Sequence, residues 1–328
     1  MNKKTIYILL LFILITLSDS DAQLFPVLGG QRAGISTAQF LKIGVGGRAA
    51  ALGESFVAIS DDASALYWNP AGLAQFKTNE VIFSHNIWLV DINHDFLGAV
   101  YHLDSDNTFG ISLTSLWMDK MPVTTEFAPF GNGEYFGFSD ISLSVSYARK
   151  MTEQFSFGGT VKYIEETLDK LKMRGVMLDI GTYYRTGLGS TRFAVTVSNF
   201  GAELAPDGEV VLVGKRKNSE WQSFAPPTIF RIGFAFEPYQ DEEHSVTTSI
   251  QLNHPNDNSE NVSLGVEYSW KRILFLRGGY KINVDEQNYS FGAGVNVPIS
   301  IAQFTLDYAF ANFERLGSAH RFSIILGL

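Results

Sequence analysis

The chain contains no cysteine, and only 18% of its 328 residues are charged. The missing cysteines exclude a disulfide scaffold and any cysteine-ligated zinc or iron–sulfur site. Charge this sparse, well below the roughly 25% of an average soluble domain, argues against a disordered chain. Basic residues are the scarcer sign, and the formal net charge of −9 repels phosphate, so no nucleic-acid partner is expected. No stretch approaches the ~20 apolar residues that a membrane-spanning helix needs. There is no G-x-S-x-G and no H-E-x-x-H. The six histidines (His85, His94, His102, His244, His254 and His320) form no close ligand motif. No enzyme, metal site or cofactor is therefore expected.

What the chain does have begins with a leader. Lys3 and Lys4 precede an apolar run from Ile6 to Leu17, with small residues Ser20 and Ala22 at the spacing of a cleavage site. This is the pattern of a secretory signal peptide over residues 1–22, and the run is too short for an anchor. Gln23, not cysteine, follows the cut, which argues against lipid attachment there.

From about Asn79 the apolar period becomes two. Ile141, Leu143, Val145 and Tyr147 alternate with Ser142, Ser144 and Ser146; Val262, Leu264, Val266 and Tyr268 alternate with Ser263, Gly265 and Glu267. A soluble sandwich alternates too, but wets its polar face with Lys and Glu. Here the polar face is mostly Ser, Gly and Thr, which suits the crowded inside of a barrel, and the apolar, aromatic face suits lipid. The spacing predicts fourteen strands: 79–89, 92–103, 107–117, 138–150, 153–165, 175–186, 191–200, 228–237, 245–254, 260–271, 273–281, 287–297, 301–311 and 319–328. Every second connection is short, and the three longest (118–137, 166–174 and 201–227) fall on the other end. Short periplasmic turns opposite long outer loops are the mark of an outer-membrane barrel. The expected fold is thus an all-β transmembrane antiparallel barrel over 77–328, with outer-membrane lipid around it.

Residues 23–76 show little strand character. They are rich in small apolar residues, which argues against a solvated tail and for a small helical hatch that plugs the lumen. Ser60 is placed to cap a short helix over Asp61–Tyr67, and Asn69 to cap a second with Pro70 in its first position. Gly44, Gly46 and Gly47 lack the βαβ context of a dinucleotide loop and are expected to let the hatch backbone approach the wall. Asp61 and Asp62 read as helix-capping residues, since no calcium-loop spacing follows. Tyr67, Trp68 and Phe76 flank the Asn-Pro-Ala stretch. They either line an apolar pocket in the plug or pack between plug and wall.

The run TAQFLKIGVGGRAAALGESFVAISDDASALYWNPAGLA, residues 37–74, resembles the N-terminal signature of PorV/PorQ-type outer-membrane proteins, a branch related to the FadL long-chain fatty acid transporters. The stretch at 141–164 is similar to the same family. The closing Leu328 departs from the aromatic end of many such barrels. The resemblance implies a 14-stranded barrel with a hatch whose Asn-Pro-Ala motif matches Asn69, Pro70 and Ala71, followed by Gly72. It also implies a part in type IX protein secretion and cell-surface attachment, with secretion-machinery proteins or secreted cargo as partners. The expected partner surface is the two longest loops, through Phe127, Phe130, Tyr135 and Phe136 on one and Trp221 and Phe224 beside Lys215, Arg216 and Lys217 on the other. The alternative is a FadL-like transporter of hydrophobic molecules such as long-chain fatty acids, which bind near the hatch and leave sideways through the wall.

Overall fold

The computed structural model describes residues 34–211, 217–218, 221–299 and 302–328. The leader, the first residues of the hatch, and Lys215 and Arg216 lie outside them. Fourteen antiparallel strands close into one barrel, each bonded to its sequence neighbours and the last to the first. They are β1 (Glu80–Ile87), β2 (Asn93–His102), β3 (Asn107–Trp117), β4 (Phe138–Lys150), β5 (Phe155–Leu168), β6 (Leu171–Arg185) and β7 (Arg192–Gly201), then β8 (Ile229–Gln240), β9 (His244–Pro255), β10 (Asn261–Trp270), β11 (Leu274–Ile282), β12 (Tyr289–Ile299), β13 (Ala302–Asn312) and β14 (Ser318–Gly327). Closure removes every sheet edge, as a chain in hydrocarbon requires.

The period-two pattern takes the orientation its chemistry dictates. On β4, Ile141, Leu143, Val145 and Tyr147 are exposed on the outside, while Ser142, Ser144 and Ser146 are buried inside. The same holds around the ring, so the outside is an apolar, aromatic surface and the inside is lined by small polar side chains.

One end of the barrel carries only short turns, at 103–106, 151–154, 186–191, 241–243 and 271–273. The other end carries the connections 118–137 and 202–228. The expected long loop at 166–174 is not there. β5 runs to Leu168 and β6 starts at Leu171, so only a tight turn joins them. Its charged residues pair across the hairpin, Glu165 with Lys172 at 2.9 Å and with Arg174 at 2.7 Å, so charge that reads as loop in sequence is strand above the apolar band. The connection 202–228 folds back on itself through Leu204 and Phe224, which exchange backbone bonds of 2.9 and 2.8 Å.

The described chain enters the lumen at the long-loop end and leaves it at the short-turn end. Thr37 donates its N–H to Ala225 at 3.0 Å, and Lys42 pairs with Asp257 at 2.9 Å, both at the long-loop end. Two short helices, α1 (Gly47–Ala51) and α2 (Ala65–Trp68), and a 3-10 turn over Pro70–Ala74 follow, before Gln75 reaches Ser156 near the short turns. Helix is thus a minor part of the hatch, most of which is turns around a buried cluster including Leu52, Phe56, Leu66, Trp68 and Leu73.

The inner serines and glycines explain how a segment with so little regular structure stays in the lumen. Ser323 and Ser290 accept the N–H groups of Gly47 and Gly53 at 2.9 and 3.1 Å, Ser249 donates to the Ser55 carbonyl, and Gln251 Oε1 accepts from both Phe56 and Val57 at 3.0 Å. The wall thereby satisfies hatch backbone groups that have no water to turn to. Glycines clear the space: a Cβ on Gly279 would strike the backbone of Leu52 and Gly53, and one on Gly158 that of Pro70 and Ala71. Gly47 likewise sits against the Asp307 backbone.

Candidate functional site

A cavity lies on either side of the hatch. A vestibule of about 840 Å³ opens at the long-loop end, and a smaller cavity of about 370 Å³ opens at the short-turn end. Phe40, Ile43 and Trp68 of the hatch floor the vestibule; Trp88, Ile92, Leu116 and Phe313 form an apolar side; Gln251, Asn253 and Asn261 form a polar one. Trp88 and Phe313 meet edge to face at 4.8 Å, an arrangement that fixes both rings at the mouth.

Local chemistry positions the floor. Trp68 Nε1 donates to the Val45 carbonyl at 2.9 Å and the Tyr67 hydroxyl to the Leu41 carbonyl at 2.9 Å, tying α2 to a 3-10 turn over Gln39–Lys42 and to the irregular residues between it and α1. Asn69 is buried and caps the 3-10 turn as its sequence implies. Its Oδ1 accepts from Ala71 at 3.0 Å, and its Nδ2 donates to Val57 and, across to the wall, to Thr182. Ser60 caps nothing: its hydroxyl donates to Phe56. Asp62 makes a turn of its own just before α2, accepting from the Ser64 N–H at 2.9 Å and from its hydroxyl at 2.5 Å, and α2 itself starts without a side-chain cap, because the turn that closes on Phe56 draws Ser60 away from it.

Ionic contacts pin the hatch below that floor. Arg48 donates to Glu267 of β10, to Asp61 and to Asp62, and Arg277 of β11 links Glu267 to Asp307 of β13. Burial works against the Arg48 charge, but Asp61, Glu267 and Asp62 overcome it and raise its pKa. Glu54 is likewise buried, yet Lys281 at 2.5 Å and the Arg321 charge hold its carboxyl below the ordinary range. Tyr67 shows the opposite outcome, its hydroxyl pushed up chiefly by burial. At the mouth, burial alone would raise the Asp257 carboxyl, but Gln39 and Lys42 lower it.

The residues singled out from sequence end in three places. Asn69, Pro70, Ala71 and Gly72 are buried between hatch and wall. Tyr67, Trp68 and Phe76 do not share one pocket. Trp68 faces the vestibule, Phe76 lines the lower cavity with its ring against His102, and Tyr67 is buried between. Of the loop aromatics, Phe127 and Phe130 are 96% and 98% exposed and Tyr135 is exposed, whereas Phe136 is half-buried. Trp221 and Phe224 are half-buried as well, because Trp221 Nε1 donates to Gly208 and Phe224 pairs with Leu204; they are packing residues of the folded loop. Sequence reasoning missed the vestibule itself. The signal available was the carboxamides Gln251, Asn253 and Asn261 at positions where other strands place Ser or Gly. Among the described residues no group of three acidic or histidine side chains gathers as a metal site.

Residues 29–163 match the sequence model of an uncharacterised protein family, UPF0164. No curated protein matches the chain. Among solved structures the chain is similar to the CymD monoaromatic hydrocarbon channel, with a TM-score of 0.57 and 14% identity over 87% of this chain and 97% of that one. It is similar to the toluene transporter TbuX of Ralstonia pickettii at 0.56 and 12%, and to the toluene transporter TodX of Pseudomonas putida at 0.55 and 14%, both with the same 87% and 97% coverage. At these identities the likeness is one of fold. Neither the family description nor these three names carries a role in protein secretion.

Proposed function

We propose that the protein resides in the outer membrane of a Gram-negative-type cell, after signal cleavage near Ala22, with its long loops outward, and conducts small molecules with an apolar part. The observation that carries this reading is the vestibule: a cavity of about 840 Å³ at the outer mouth, walled on one side by Trp88, Ile92, Leu116 and Phe313 and floored by Phe40 and Trp68. That size lies within the roughly 300–1,000 Å³ range of small-molecule sites, and its apolar side gives a hydrophobic ligand something to gain by leaving water. The names of the structurally similar proteins, hydrocarbon channels and toluene transporters, support the same chemistry.

The route inward runs through the hatch. Each wall strand is hydrogen-bonded to both neighbours, with register shifts between Leu178 and Ile180 and between Phe236 and Tyr239. The vestibule and the lower cavity are separated by the Arg48–Glu267–Arg277–Asp307 contacts and by the hatch core, and passage requires that these part.

Equilibrium dialysis of toluene against the purified protein in lipid nanodiscs tests the reading. Binding of about one molecule per barrel is expected, weakened roughly tenfold in Leu116→Asp, which sets a charge into the apolar side. Equal binding by both proteins overturns it.

A second reading rests on a separate observation, the near-complete exposure of Phe127 and Phe130 on one outer loop. Exposed aromatics of this kind serve as anchors for a protein partner. This is where a secretion or attachment role of the PorV/PorQ type would reside.

A further inference from the structure

The vestibule's polar side is built with more care than a hydrocarbon needs. Gln251 Oε1 accepts two hatch N–H groups, from Phe56 and Val57, which fixes its amide orientation. Its Nε2 must then donate, and does so to Asn253 Oδ1 at 2.7 Å. Asn253 Nδ2 donates in turn to Asn261 Oδ1 at 2.8 Å and to Ser263 at 3.3 Å. The hatch backbone thereby sets the polarity of the whole relay. It ends on Asn261 Nδ2, a donor with no partner among the described residues, at the cavity surface. Asn258, Ser259 and Gln287 add hydroxyl and amide groups beside it.

Most charges in the same cavity are paired; Arg231 is buried, donating to Ser198 at 3.1 Å with its guanidinium against the Trp68 ring, and Asp285, in the connection before β12, has no ion pair among the described residues. Lys42 pairs with Asp257 at 2.9 Å, Lys281 with Glu54 at 2.5 Å, and Glu286 with Arg315 at 3.5 Å. Paired charges offer little to an ionic head, whereas amides with open valences hydrogen-bond neutral hydroxyls, each of which donates and accepts. Strand β3, which carries Leu116, stands seven strands from β10, which carries Asn261, so the apolar and the amide sides face each other across the lumen.

We infer that the vestibule recognises a small glycoside, an uncharged polyhydroxyl head on an apolar portion. The head sits on the Gln251–Asn253–Asn261 relay and the apolar portion lies against Trp88, Leu116 and Phe313. This rests on the vestibule being the ligand site and adds the chemistry of its ligand.

The test uses the full mature protein in lipid nanodiscs prepared without glycoside detergent. Dialysis binding is measured for octyl β-glucoside below its micelle concentration, for octanoate and for toluene. Octyl β-glucoside is expected to bind at least tenfold more tightly than octanoate or toluene. Asn261→Leu is expected to weaken the glucoside at least fivefold more than it weakens toluene, the loss of about one neutral hydrogen bond. Gln287→Leu, in a connection outside the wall, supplies the same comparison if Asn261→Leu fails to assemble into a heat-modifiable barrel. Binding of octanoate or toluene as tight as that of the glucoside overturns the inference, as does a variant that weakens all probes equally. If toluene binds and the glucoside does not, the glycoside head is wrong and the vestibule stands; if none binds, both fall.

Discussion

Arg48 of the hatch and Glu267 of the barrel wall form a two-point ion pair, Nε to Oε2 at 2.9 Å and Nη2 to Oε1 at 2.9 Å. It ties an element with almost no regular structure to the wall with the geometry that makes arginine–carboxylate pairs strong. Glu267 is also held by Arg277 at 2.6 Å, so the pair belongs to a network that spans three strands and α1.

Removing one member of such a network leaves a buried charge short of a partner. Arg48→Ala is expected to loosen the hatch by about 3 kcal/mol while leaving the barrel assembled. Planar-bilayer recordings check this: the variant is expected to show open events that the parent protein lacks. A variant as silent as the parent would mean that the ionic contacts do not hold the hatch.

Asn69→Ala deletes an acceptor for Ala71 and a donor to Val57 and Thr182, all in a buried setting. A cost of about 2–4 kcal/mol is expected. The chain has no native cysteine, so single-cysteine reporters are clean. In the parent background Ala71→Cys should resist a bulky maleimide, and adding Asn69→Ala should make it reactive without loss of heat-modifiable migration.

The contact of Lys42 and Gln39 with Asp257 gives the mouth a pH dependence. Because the folded-state Asp257 carboxyl is held below its ordinary value, its contribution is full above the unfolded carboxylate range of about pH 4 and is lost as pH falls through the folded value. Leu41→Cys, buried beside this contact, is expected to react with 4,4′-dithiodipyridine, a disulfide reagent that works in acid, slowly relative to a free cysteine down to about pH 5 and faster relative to it in more acid buffer. Asp257→Asn should label faster at neutral pH and lose most of the acid step.

The barrel was legible in the sequence because one physical constraint, lipid outside and a crowded lumen inside, acts on every second residue. β3 and β4 fall on the residues expected, 107–117 and 138–150, and the other ends move by a few residues. The hatch was legible only as a compact apolar segment. Its path is set by serine hydroxyls and glycine gaps scattered over many strands, such as Ser290, Ser323 and Gly279, and such contacts leave no local period. The vestibule was not legible for the same reason: Trp88, Leu116, Asn261 and Phe313 are far apart in the chain. The loop aromatics divide by burial. Phe127 and Phe130 are exposed, while Trp221 and Phe224 are folded under by partners no pattern announces.

Loop 118–137 separates the two functional readings. Cutting it back to a short turn is expected to leave the barrel folded and toluene binding intact, since neither Phe127 nor Phe130 lines the vestibule. Co-purification of proteins from solubilised outer membranes, lost in the shortened form, would assign that loop to a partner. Loss of toluene binding with all partners retained would contradict the division.

The most direct measurement is a crystal of the purified protein soaked with 4-bromotoluene, whose bromine is located by anomalous scattering. The expected result is a peak inside the vestibule, between Trp88, Leu116 and Phe313. A peak confined to the outer apolar surface of the barrel, or no ordered bromine at all, would contradict a ligand site at the outer mouth.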